Sequence, residues 1–190
     1  MKQILIVTAH PSTVGHTHQI ARAYAQESEA LGHSVTVLDL YQSEQLPFFA
    51  FEKIKELPIT PAAKRYQKLI HDATEIVFIH PVWWGTMPAI LKNFLDHTLE
   101  SRFAFRYIQG SPEGLLQGRR ARVIVTAGIP TIAYALFLSP LYVIWRFFIV
   151  QYCGMRFGGL LVQGSMNSRS MTVAKFDRFL ERVRTLAHKD

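Results

Sequence analysis

Short unbroken apolar runs along this chain are each followed by a stretch in which apolar residues recur every three or four positions. Residues 121–127 predict a further strand, and Gln3-Ile4-Leu5-Ile6-Val7-Thr8 and Ile76-Val77-Phe78-Ile79 are too continuous for strands with one face in water. They read as strands buried on both faces, the mark of a parallel sheet. Residues 34–40 alternate and end near Asp39, which predicts a strand closer to the edge, and residues 159–162 predict a short last strand. Helical spacing fills the intervals. Ile20, Ala21, Tyr24, Ala25 and Leu31 form one inner face closed by Gly32, and a second helix starts at Pro61 and runs to about residue 73. Ile90, Leu91, Phe94, Leu95 and Leu99 follow Pro88 at a first helical position; residues 142–152 and 172–188 complete the set, the last with Phe176, Phe179, Leu180, Val183 and Leu186 inward. Strands alternating with helices predict an α/β, doubly wound parallel sheet of five strands in one domain, 1–190. Residues 41–60 and 101–120 read as connections.

The chain is organised around residues 75–100, a buried strand, a loop and an amphipathic helix. The loop, Pro81-Val82-Trp83-Trp84-Gly85, lies at the carboxyl end of a central strand, where open α/β sheets bind ligands. Adjacent tryptophans in an extended loop diverge, so both cannot enter one core, and the pair is expected to wall a flat ligand. A second candidate loop runs from His10 through Ser12 and Thr13 to Gly15 and Thr17, at the start of the first helix. Hydroxyls and helical N–H groups there make a phosphate site that needs no cation, and Thr17 also reads as a helix N-cap. The third is Thr126-Ala127-Gly128-Ile129-Pro130. A strand order of 2-1-3-4-5 brings all three to one switch point. Neither G-x-G-x-x-G nor G-x-x-x-x-G-K-[ST] occurs, which disfavours a Rossmann site and a P-loop.

Composition narrows the classes. One cysteine, Cys153, excludes an internal disulfide, gives little support to a thiolate metal site and suits a reducing compartment. No metal site is expected. Met1-Lys2 runs straight into the first strand without the apolar region of a signal peptide, so the cytoplasm is expected. The net charge of +7 is unevenly placed: residues 1–100 carry 8 basic and 10 acidic side chains, residues 101–190 carry 13 and 4. Arg119-Arg120-Ala121-Arg122 is the one tight cluster; without a nucleic-acid motif nearby it reads as a solvated basic face, and no nucleic acid is expected as partner. Residues 129–145 carry no charge but are broken by Pro130 and Pro140. They are too short and interrupted to span a bilayer and read as a subunit interface, with peripheral membrane contact as the alternative.

Pro81-Val82-Trp83-Trp84-Gly85-Thr86-Met87-Pro88-Ala89-Ile90-Leu91-Lys92 resembles the P-x-x-W-x-x-x-P-A-I-L-K signature of the flavodoxin-like NAD(P)H:quinone oxidoreductases, a family that includes DT-diaphorase, modulator-of-drug-activity proteins and ancillary flavoproteins of potassium efflux systems. Ala9-His10-Pro11 with Thr17-His18-Gln19, Phe103-Ala104-Phe105 and Tyr152-Cys153-Gly154-Met155 extend the likeness over most of the chain. The resemblance implies a bound flavin, FMN or FAD, with NAD(P)H as co-substrate and a quinone or similar acceptor using the same place in turn. It implies cofactor contacts at His10, Ser12, Thr17, His18, Gln19, Pro81, Val82, Trp83, Trp84, Gly85, Thr126, Ala127 and Gly128, a homodimer, and a catalytic Tyr134, which stands at the spacing of a family tyrosine. The family's third loop is often T-T-G-G, whereas this one is Thr126-Ala127-Gly128-Ile129, and Pro140 falls where DT-diaphorase has a histidine. A flavodoxin-type electron carrier and a regulatory subunit of a membrane transporter are the competing readings.

Overall fold

The computed structural model describes residues 1–50, 59–133, 139–169 and 171–189. In chain order the elements are β1 (Gln3–Thr8), α1 (His16–Ala30), β2 (Ser34–Asp39), α2 (Pro61–Asp72), β3 (Glu75–Pro81), α3 (Ala89–Thr98), β4 (Phe105–Ile108), β5 (Ser111–Gly114), β6 (Arg120–Thr126), α4 (Ser139–Val143), a π-helical turn (Ile144–Gln151), β7 (Arg156–Gln163) and α5 (Val173–Ala187). Five strands form a parallel sheet in the order β2-β1-β3-β6-β7. This is the expected 2-1-3-4-5 order once the separate hairpin of β4 and β5 is set aside.

The continuous apolar runs behave as their composition requires. Every residue of β3 and β6 is buried, and the two faces of the sheet carry separate cores. Leu5, Val7, Ile76, Phe78, Val123 and Val125 face α2, α3 and Trp145, while Ile4, Ile6, Val77, Ile79 and Ile124 face α1 and α5. Edge strand β2 is half exposed, as its alternation predicts. Helix starts differ in detail from the sequence reading. Thr60 caps α2 with Pro61 at the first position and Thr172 caps α5, but Pro88 is itself the cap residue of α3 rather than its first residue. Leu31 is exposed just beyond α1 instead of facing inward.

Two corrections concern larger features. Residues 101–120, read as a connection, hold the β4–β5 hairpin, closed by Gln109 and Gly110, both at positive φ. The cluster at 119–122, read as a solvated basic face, is largely interior: Arg120 is 6% and Arg122 2% exposed. Arg122 Nε donates to the buried Glu75 carboxylate at 2.9 Å, and Lys189 O accepts from both arginines. Glu75 also accepts from the phenol of Tyr24, whose burial beside that carboxylate pushes its pKa up and keeps it protonated. Because a buried guanidinium without a counter-charge is costly, losing Glu75 strands two arginines at once. No helix among the described residues is long and apolar enough to cross a membrane.

Beneath the carboxyl end of β3, His80 is fully buried and stacks on Trp145 with ring centroids 5.6 Å apart. Its Nδ1–H donates to Pro81 O at 2.8 Å, while Nε2 has no partner among the described residues. Burial pushes the imidazole pKa down to about 4, so the ring is neutral in the folded protein at neutral pH. Between the unfolded value near 6.5 and that lower one, the unfolded chain binds a proton that the folded chain does not, so stability falls as pH falls through this window. The loss attributable to His80 is expected to reach about 1 kcal/mol per pH unit. Urea unfolding at pH 7 and pH 5 checks it, with a His80→Leu variant expected to show the shallower decline.

Candidate functional site

The first loop and the start of α1 supply one wall of a cleft. Ser12 N lies 3.0 Å from His10 Nδ1, a contact that orders the loop. The chain enters α1 at Gly15, the cap residue, so Thr17 is the second helical residue and not the N-cap. No side chain among the described residues caps this end. His18 N and Gln19 N bond to Gly15 O, but the N–H groups of His16 and Thr17 have no acceptor among the described residues. Two orphan amides on the positive end of a 15-residue helix are a preformed anion site.

The second wall comes from β3. Val82 N donates to Thr126 O at 2.7 Å, tying the second loop to the third. Trp83 and Thr86 then exchange two backbone hydrogen bonds around Trp84-Gly85, with φ of 52° and 78° at the two central residues. That is a two-residue turn of the type that normally takes Asn-Gly or Gly-Gly. An indole-bearing residue in the left-handed region carries roughly 1–3 kcal/mol of strain. The turn separates the tryptophans: Trp83, 41% exposed, lines the cleft, whereas Trp84 projects fully into solvent at the tip.

The third wall is Thr126-Ala127-Gly128, held by a fourth loop after β7. Ala127 N donates to Gln163 O at 2.8 Å, Ser165 N to Ile129 O at 2.8 Å, Met166 N to Ala127 O at 3.0 Å, and Gly164 N to Thr131 Oγ1 at 3.0 Å. The Gly128 amide has no acceptor among the described residues.

Together His10, Gly15, His16, Thr17, Pro81, Val82, Trp83, Thr126, Ala127, Gly128, Met166 and Asn167 enclose about 210 Å³. Closed small-molecule sites usually hold ~300–1,000 Å³, so this is an open slot. Of the residues expected at a cofactor, His10, Thr17, Pro81, Val82, Trp83, Thr126, Ala127 and Gly128 meet there. Ser12, Gln19, Trp84 and Gly85 are not part of its lining. His18 is turned away, its Nε2 2.9 Å from Asp39 Oδ2, joining α1 to the end of β2. Tyr134 lies outside the described residues. Met166 and Asn167 were missed by sequence reasoning; their one signal was position, just after the last strand. The polar side-chain atoms of Asn167 make no hydrogen bond within the described residues, and its amide lies where a side chain on Gly128 would go, 3.1 Å from a Cβ there.

The residues present fit a flavin mononucleotide. Orphan amides at α1 suit its phosphate, the Trp83 face suits a flat ring, and the Gly128 N–H with the Asn167 carboxamide suits a polar ring edge. No cluster of three or more His, Cys, Asp or Glu able to hold a metal occurs among the described residues. Cys153 is buried, and burial pushes its thiol up to about 12, which leaves it unreactive at neutral pH.

Comparison with known proteins agrees with this geometry. The chain is 31% identical over 149 residues to FMN-dependent NADH:quinone oxidoreductase 1 of Lactococcus lactis, covering 67% of this chain and 68% of that one. It is 31% identical over 128 residues to an uncharacterized NAD(P)H oxidoreductase of Haemophilus influenzae, covering 65% of this chain and 63% of that one, so it spans less than two thirds of that relative's length. The crystal structure of Smu.1420 from Streptococcus mutans UA159 superposes with a TM-score of 0.84 at 27% identity over 97% of this chain and 98% of that one. The sheet order, the carboxyl-edge cleft and a match of residues 2–186 to the family model for the flavodoxin-like fold agree, and the chain belongs to that family.

Proposed function

We propose that this chain is an FMN-dependent NAD(P)H oxidoreductase that reduces quinones or similar small acceptors. The observation that carries the reading is the meeting, in one open slot, of an indole face with helix amides and a loop amide that have no acceptor among the described residues, from three separate strand ends. The names of the Lactococcus and Haemophilus relatives support the same chemistry.

Bound FMN would supply the redox chemistry, taking hydride from a nicotinamide and passing it to an acceptor. The protein positions and polarises. His16 and Thr17 amides hold the phosphate without a cationic side chain, and the Trp83 indole keeps water from one face of the slot. Gly128 N–H and the Asn167 carboxamide stabilise negative charge at the polar edge, an oxyanion-hole type of contribution. Because the slot is open, a nicotinamide and an acceptor can use the same exposed face in succession, which accounts for the lack of a second nucleotide fingerprint in the sequence.

The reading also takes residues 1–190 as one domain, places the enzyme in the cytoplasm and makes it a homodimer. Exposed Phe147 and Phe148, beside an apolar groove of about 380 Å³ lined by Met87, Leu95, Leu99, Phe105, Ile144 and Ile149, support the dimer. That groove reaches Thr86, at the base of the Trp84 turn.

The test is direct. Purified protein should release FMN on heating, identified by mass, and should oxidise NADH or NADPH in a menadione-dependent steady state. Bound flavin without turnover would instead identify an electron carrier, and FAD in the heated supernatant would overturn the mononucleotide assignment.

A further inference from the structure

We propose that a second cleft, at the amino-terminal edge of the sheet and so opposite the slot above, binds a small polyanion carrying phosphate or carboxylate groups. It measures about 480 Å³ and is lined by Lys2, Thr74, Glu75, Gly118, Arg119, Arg120, Gly154 and Arg156. Four of these are cations and one is an acid. The single carboxylate among these described residues is already committed: Glu75 accepts from Tyr24 and from Arg122, a fifth cation standing directly behind.

The donors that remain can be followed one by one. Arg119 spends its guanidinium on the carbonyls of Ile70, Gln117 and His71, at and near the end of α2. Arg122 is taken up by Glu75, Gly158 O and Lys189 O. Backbone carbonyls and the Glu75 carboxylate therefore account for these two. They do not explain Arg120 and Arg156. Of the five N–H groups of Arg120, one reaches Lys189 O at 2.8 Å, and the Glu75 carboxylate stands off at 3.7 Å, beyond hydrogen-bond length. The Arg156 guanidinium has no partner among the described residues. Lys2 Nζ lies 3.8 Å from Glu75.

Strand register makes the excess charge structural. Glu75, Arg120 and Arg156 are neighbours in one row across β3, β6 and β7, and β7 is the sheet edge, so no further strand offers Arg156 an acid. Like charges opposite each other on adjacent strands repel. Glycines keep room for them. A Cβ on Gly158 would stand 2.7 Å from Arg122 Cγ and 2.9 Å from Arg120 Cδ, so both stems cross β7 only because that position is bare. A row of cations held in place and open to a cleft is completed by an anion with more than one charged group.

The experiment uses protein saturated with FMN, so that the amides of α1 are already occupied. Isothermal titration with inorganic pyrophosphate, and separately with citrate, at physiological ionic strength should give saturable binding of one equivalent. Tighter binding of pyrophosphate marks a phosphate ligand and tighter binding of citrate a carboxylate. Arg156→Ala, a change on the exposed edge, should weaken either titration roughly tenfold or more while leaving the melting temperature and FMN content unchanged. Lys2→Ala should weaken it as well. Absence of saturable binding overturns the proposal, as does binding that survives both substitutions. Binding that appears only when Asp190, outside the described residues, is deleted also overturns it, since the cleft would then be served by the chain itself.

Discussion

Replacing Trp83 with alanine is expected to weaken FMN binding by roughly 10- to 100-fold, the loss of about 1–3 kcal/mol for one aromatic wall. The indole is 41% exposed, so little of it belongs to the core, and the same change should lower folding stability by less than about 1 kcal/mol. The dissociation constant from flavin fluorescence and the unfolding midpoint of the apoprotein separate the two effects. Trp84→Ala, one residue on, serves as the comparison. Its ring projects into solvent from a strained turn, so it should leave FMN affinity nearly unchanged. Equal loss of flavin from both variants, or from neither, contradicts the assignment of Trp83 as the wall.

Gly164→Ala should do the most damage to the fold and to the slot together. Its Cβ would stand 2.3 Å from Thr131 N, 2.5 Å from Ile129 O and 2.7 Å from Pro130 C. All three are backbone atoms, so no rotamer change relieves the clash. The third and fourth loops must separate, breaking the bonds from Ser165 N to Ile129 O and from Gly164 N to Thr131 Oγ1. A cost of about 2–4 kcal/mol is expected, lowering the melting temperature by roughly 5–15 °C. FMN affinity should fall with it, because Gly128 and Asn167 shift apart. Urea unfolding and flavin titration on the same preparation check both, and a variant with unchanged stability would show that these loops are not clamped as described.

Some parts of the site were legible because they rest on local chemistry. A short continuous apolar run bounded by turn residues reads as a strand buried on both faces, and residues at its carboxyl end lie at the ligand edge of an α/β sheet. That is why Pro81, Val82, Trp83, Thr126 and Gly128 could be named beforehand. Both tryptophans were expected at the wall, and only the tight turn, with a positive φ at Trp84 that a bulky aromatic residue rarely adopts, leaves Trp83 in the slot and turns Trp84 to solvent. His18 is a similar case: only the pairing of β1 with β2 brings Asp39 within 2.9 Å and draws the imidazole from the slot.

The hairpin at β4–β5 escaped notice because β5, Ser-Pro-Glu-Gly, has no apolar alternation and that of Phe105, Arg106 and Tyr107 in β4 is too short to mark a strand by itself. It is held instead by close approach of backbones, where a Cβ on Gly114 would stand 2.1 Å from Gly154 N, and by Tyr107 OH bonded to Tyr152 OH at 2.8 Å. Neither contact leaves a periodic trace in the chain.

The order of apolar runs, their lengths and the glycines and prolines between them determined the doubly wound sheet and its three ligand-facing turns, because burial and backbone hydrogen bonding act residue by residue. Charge placement was decided in three dimensions. Arg119-Arg120-Ala121-Arg122 looks like a solvated patch in one dimension, yet strand register sets it beside Glu75 and Arg156, since electrostatic energy depends on separation in space and not along the chain. The fourth loop, with Met166 and Asn167, likewise joined the slot only when β7 paired with β6.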